Sequence, residues 1–134
     1  MAYQMTSDGI VATFEAGADL SGDQFKIVKL DANGNVIRCT ATTDLALGVL
    51  QNKPGSGQAA TVLIAGISKV VANTNFTLPN TIGVSGGGAA SEGRATAQAG
   101  NAANPVIGHA LEAPSGAGSV FTASINCLAT CVTG

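Results

Sequence analysis

Ala46-Leu47-Gly48-Val49-Leu50 leads through Pro54-Gly55-Ser56-Gly57 to Thr61-Val62-Leu63-Ile64, and Val106-Ile107-Gly108-His109-Ala110-Leu111 leads through Pro114-Ser115-Gly116-Ala117-Gly118 to Ser119-Val120-Phe121-Thr122. The chain states one strand-turn-strand plan twice. Asn33-Gly34 and Glu92-Gly93 extend the match upstream, and the matched positions lie 58 to 60 residues apart. A steady offset of this kind is the signature of two halves built alike, here residues 19–72 and 77–126.

Short β-branched runs alternate with turns throughout. Ser21-Gly22-Asp23 opens the first half, Phe25 to Leu30 reads as a strand, and Asn33-Gly34 between apolar runs signals a hairpin. Leu45 to Leu50 is the next strand, followed by two runs, Thr61 to Ile64 and Ile67 to Val71, with Gly66 between them. In the second half Thr77 to Val84 passes into the Gly-rich Ser85 to Ser91. Ala95 to Ala103 lacks an apolar stripe and carries Gly100 and Asn101, which suits a weak strand or a loop better than a helix. The expected fold is all-β, a small β-barrel or β-sandwich formed by two pseudo-repeated halves in one domain, residues 17–134. Residues 1–16 have no partner in the repeat and read as an extended N-terminal arm. Alternation in Ile10-Val11-Ala12-Thr13-Phe14 suits a strand that either completes its own sheet or adds to a neighbour's edge.

Composition narrows the function. The 134 residues are 46% hydrophobic but only 4% aromatic and 10% charged, with 18 glycines and a net charge of −2. Soluble domains carry roughly 25% charged residues, so this surface is poor in charge, as befits one covered in an assembly. The six basic residues are scattered and there is no Trp, which argues against nucleic acid as a ligand. The longest apolar stretch, Val62 to Val71, is interrupted by Gly66, Ser68 and Lys69, so no membrane span is expected. Met1-Ala2-Tyr3-Gln4 lacks the basic and apolar regions of a secretory leader.

Motifs that mimic chemistry fail on context. Gly83-Val84-Ser85-Gly86-Gly87 fits G-x-S-x-G, but the glycines after Ser85 oppose the helix that a nucleophile elbow needs, and only His109 and Glu92 are candidates for its partners. Gly55 to Ala60 matches G-x-G-x-x-A, yet a strand-like run follows where a phosphate-binding helix should start. Asp31 to Asn35 hints at a calcium loop, with its glycine misplaced and Thr42 where the closing glutamate belongs. Cys39, Cys127, Cys131 and His109 lack the paired spacing of a zinc site. Cys127 and Cys131, about 13 Å apart in an extended strand, are too distant for a disulfide there. No catalytic residue, cofactor or metal is expected.

With Gly22-Asp23, Val28 to Asn35, Leu47-Gly48-Val49-Leu50, Val62 to Gly66, and Ile107 to Leu111 before Val120 in view, the chain resembles the cement or head-decoration proteins of tailed bacteriophages. The second half departs from that pattern at Ser85 to Ala90. The resemblance implies a structural virion protein, made in the host cytoplasm, that binds the outside of an icosahedral capsid and clamps neighbouring major capsid protein subunits, often as a homotrimer, with a dimer also open. The arm, through Tyr3, Met5, Ile10 and Phe14, is the expected contact with capsid or a neighbouring protomer. A self-assembling tail, fibre or adhesin component is the alternative. His109, the single histidine, follows Gly108 in a strand and reads as structural. Accordingly His109→Gln is expected to leave assembly unchanged between about pH 5.5 and 8, as followed by sedimentation.

Overall fold

A computed structural model describes residues 9–98 and 104–128, and among them it contains nine strands and no helix. They are β1 (Ile10–Glu15), β2 (Ile27–Leu30), β3 (Val36–Arg38), β4 (Gly48–Leu50), β5 (Ala59–Val71), β6 (Thr81–Val84), β7 (Ala95–Ala97), β8 (Val106–Ala110) and β9 (Val120–Asn126). Every ladder is antiparallel, in the order β3-β2-β4-β5-β9-β8-β6-β7, with β1 paired to β5. The fold is all-β and curled, a small barrel architecture. Its two halves share one pairing scheme: β2 pairs with β3 and β4, and β4 with β5, while β6 pairs with β7 and β8, and β8 with β9.

Each half closes through a single alanine. Ala16 N–H donates to Gln58 O, Gly57 N–H donates to Ala16 O, and Gly17 N–H donates to Val36 O, each at 2.8 Å. These bonds carry the chain from β1 back to β3 and close the ring β3-β2-β4-β5-β1. In the other half Ala72 N–H donates to Ser119 O, Gly118 N–H to Ala72 O, and Asn73 N–H to Ala95 O, again each at 2.8 Å. That seam closes β7-β6-β8-β9 with the second part of β5. Both alanines are buried.

This symmetry corrects one expectation. Residues 10–16 do have a counterpart in the repeat, residues 66–72, and β1 completes the sheet of its own chain as the first strand of the first barrel, one of the two places that its alternation left open. Side chains hide the match, because Ile10-Val11-Ala12-Thr13-Phe14-Glu15-Ala16 and Gly66-Ile67-Ser68-Lys69-Val70-Val71-Ala72 share little beyond the final alanine. The two runs expected at Thr61 to Ile64 and Ile67 to Val71 also prove to be one strand. β5 pairs with β1 over Ala59–Ala65 and with β9 over Ala65–Val71, so it belongs to both barrels. Gly66, at φ +139°, lies where the partner changes, a backbone region that a side chain rarely adopts.

Two apolar clusters follow from the alternation of strand side chains. The smaller comprises Ala16, Leu20, Val28, Val36, Leu50, Ala60 and Val62, with Phe14 and Leu47 against it. The larger gathers Val70, Ile82, Val84, Phe121, Ala123 and Ile125 of the second barrel with Ile27, Cys39, Val49 and Leu63 of the first, and so joins the two. Phe76 meets Phe121 edge-on at a centroid distance of 5.4 Å, an arrangement worth about 0.5–1.5 kcal/mol beyond its buried area. Polar links reinforce the joint: Arg38 binds Asp23 at 3.1 Å and Glu92 at 2.6 Å, and Ile27 N–H donates to Gly93 O.

The Asn33-Gly34 hairpin forms between β2 and β3. Asp31 Oδ1 accepts the N–H groups of Asn33 and Asn35, and Gly34 alone has a positive φ. Gly48 and Gly108, equivalent in the repeat, owe their identity to close approach. A Cβ on Gly48 would fall on the carbonyl oxygen of Leu63, and one on Gly108 on that of Ser124. Gly48→Ala and Gly108→Ala are each expected to cost about 1–3 kcal/mol of stability, read as a lower denaturant midpoint with the slope unchanged.

Candidate interaction surface

Strand ends and turns decide which apolar side chains this fold leaves outside. Leu45, 64% exposed, and Leu128, 61% exposed, stand with Leu30 on one face. Together with Ala46, Leu47 and Cys127 they line an open depression of about 350 Å³, and among the described residues no charged side chain is in its lining. The loop before Leu45 is held by Asp44, whose Oδ2 accepts the N–H groups of Thr40 and Ala41 at 2.8 and 3.0 Å and whose Oδ1 lies 3.0 Å from Lys29 Nζ. Neither Leu45 nor Leu128 carries a sequence signal that marks it as exposed. Each is a lone leucine beside a strand, and only the path of the chain turns it outward.

The residues expected at an interface separate. Tyr3 and Met5 lie outside the described residues, as does Cys131. Ile10 is about half exposed at the start of β1, next to an equally exposed Val11. Phe14 instead packs its ring against the smaller apolar cluster, opposite Ala60 on β5, so its first duty is to the barrel. The outward apolar pair of β1 is thus Ile10 and Val11.

Groups in the mimicked motifs have structural partners. Ser85 is buried, its hydroxyl hydrogen-bonded to Gly86 O at 3.3 Å and its N–H to Arg94 O, and no helix follows it. Glu92 is taken up by Arg38, whereas His109 sits exposed on β8 between Thr81 and Ser124. Gly55 lies in a turn closed by Gln58 Oε1, and strand β5 follows. Burial raises the Cys39 thiol to about 12 and the Cys127 thiol to about 11, so both are protonated and unreactive near neutral pH. Among the described residues no cluster of His, Cys, Asp or Glu could hold a metal ion, and no helix is long and apolar enough to cross a membrane.

Comparison with known proteins adds one observation. No protein-family model and no curated protein matches the sequence. A solved structure does: the N base of head fiber gp8.5 in bacteriophage phi29, with a TM-score of 0.62 and 15% identity, over 88% of this chain and 94% of that one. The likeness is one of fold. It extends through both barrels, since nearly the whole of each chain is matched.

Asp44 offers a test of the loop that presents Leu45. Burial pushes its carboxyl up, but the Thr40 N–H, Lys29 and the Ala41 N–H outweigh this and hold it below the ordinary value of 3.8. The carboxylate is therefore favoured in the folded state. Its contribution is complete above 3.8 and is lost as pH falls through the lower folded value. Asp44→Asn is expected to be less stable than the parent at neutral pH, with the two denaturation midpoints converging below about pH 3.8.

Proposed function

We propose that the chain is a structural protein of a tailed-phage virion, bound to the outer surface of the icosahedral head, where it holds neighbouring major capsid protein subunits together. The observation that carries this reading is the fold match, over nearly all of both chains, to the base of a phage head fiber. The composition supports it, because a surface with 10% charged residues loses little hydration when an assembly covers it. The protein acts by binding rather than by catalysis, without cofactor, nucleic acid or membrane as a partner. The uncharged face around Leu45 and Leu128 is the surface turned toward the capsid.

Binding energy is then the whole mechanism. A ligand that engages only the assembled lattice stabilises it by about 2.7 kcal/mol per site at a hundred times its dissociation constant. Several linked protomers multiply that through avidity. Because the similar structure is the base of a fiber, a self-assembling fibre component is the second reading, and it predicts ordered polymers without any capsid.

Purified protein mixed with undecorated capsids of its own phage is expected to co-sediment with them and to raise their thermal disruption temperature. Leu45→Ser with Leu128→Ser should lower occupancy at least about tenfold while leaving the monomer folded, since both side chains are exposed. Absence of co-sedimentation, with filaments in the protein-only sample, would favour the fibre reading.

A further inference from the structure

The outer edge of β1 is open along its middle. Ala16 gives both its backbone groups to the β4–β5 hairpin, and Gly17 turns its N–H the other way, to Val36. By the alternation of an extended strand, Val11, Thr13 and Glu15 also turn their N–H and C=O groups away from β5. Among the described residues nothing pairs with them. Native sheets guard such an edge with lysine, proline or a bulge in its middle. Here the irregularity falls at Ile10/Val11 and the single charge, Glu15, is at the far end, so Val11 to Glu15 is a straight, bare edge.

The molecule itself shows what covers this edge in the other half. The strand equivalent to β1 is the second part of β5, and its outer edge meets the first barrel: Val71 N–H donates to Phe25 O at 3.0 Å, and Lys69 Nζ lies 5.9 Å above the Phe25 ring. Phe25 holds a left-handed backbone, φ 67°, in making that contact. In the second barrel a neighbouring barrel thus takes up one end of this edge, and among the described residues the first barrel has no such neighbour.

We propose that a second copy of this chain covers the edge, by antiparallel addition of β1 to β1 about a twofold axis through Thr13. Residues whose backbone groups point outward must pair with one another, which places Thr13 opposite its own copy and Val11 opposite Glu15 of the second copy. The side chains agree with this register. A Thr–Thr pair is favourable across strands, and the two Glu15 carboxylates stand at opposite ends of the pairing rather than face to face. Exposed Ile10 and Val11 lie on the paired strands and are available to be covered with them. An isologous contact closes on itself, so it yields a dimer and not a filament. The interface is short and makes a weak dimer alone, strengthened on a lattice where neighbours are already held together.

This inference goes beyond the capsid-binding reading, and its test uses the purified full chain without capsid. Sedimentation of the parent protein over a range of concentrations is expected to show a monomer–dimer equilibrium. Thr13→Pro removes only an outward N–H, so the β1–β5 ladder and the melting temperature should hold while dimerisation weakens about tenfold to hundredfold. Thr13→Lys and Thr13→Glu should each weaken the dimer by setting like charges across the axis, and a mixture of the two should restore it as a heterodimer. A parent protein that stays monomeric throughout, or a dimer indifferent to all three substitutions, overturns the proposal. So does a monomeric parent whose capsid binding is abolished by Thr13→Pro, which would assign the edge to a capsid strand instead.

Discussion

One strand serves two barrels, and the rest of the structure is arranged around that fact. β5 runs for 13 residues, about twice the usual strand length, because its first part closes the first ring and its second part opens the next. The two parts need different directions, and Gly66 lets the backbone turn between them without breaking the ladder. On the facing edge the same space is filled by two separate strands: β9 ends and β1 begins opposite Ala65. The described chain therefore approaches a twofold arrangement in which one long strand, β5, is matched by a long strand cut in the middle.

Closure of each ring is enforced by geometry more than by apolar bulk. Ala16 and Ala72 each take two hydrogen bonds with a loop and pass the next N–H to an edge strand. A larger side chain has no room there, since both alanines are buried within their clusters. The close approaches at Gly48 and Gly108 impose the same restriction on the next layer of the sheet. Few aromatics are needed because small residues let strands pack tightly, and dispersion contacts accumulate with packing density. The low aromatic content and the high glycine content are thus two consequences of one tight, doubled scaffold.

Charge is sparse but placed where the halves meet. Arg38 of β3 reaches Asp23 of its own half and Glu92 of the other, and the Glu92 hydrogen bond, against the burial that opposes it, holds the guanidinium more firmly protonated than usual. Sharing one cation between the halves fixes their relative orientation, which apolar contacts alone, being non-directional, would leave looser. The apolar depression near Leu45 and the bare edge of β1 are among the features exposed on the outside. The proposed role in an assembly calls for both properties: a rigid body, and faces that are cheap to dehydrate.

How much was legible in the amino acids is seen residue by residue. Gly48 and Gly108, Asn33-Gly34 and the Pro/Gly loops spoke directly, because turns and close approaches admit few residue types. Those local constraints determined the all-β class and the doubling. Ile10 to Ala16 could not be matched to residues 66–72 by side chains, since a strand's place in a ring is specified by backbone hydrogen bonds that most residues make equally well. Phe14 packs against the smaller cluster and Leu45 and Leu128 stand exposed because of the path that the chain takes between strands, which no local signal specifies. The sequence by itself determined which segments are strands and where they turn. Only the tertiary structure decided which strand neighbours which, and hence which edge is left unpaired and which leucines are left exposed among the described residues, because pairing between distant strands depends on the closure of the whole sheet.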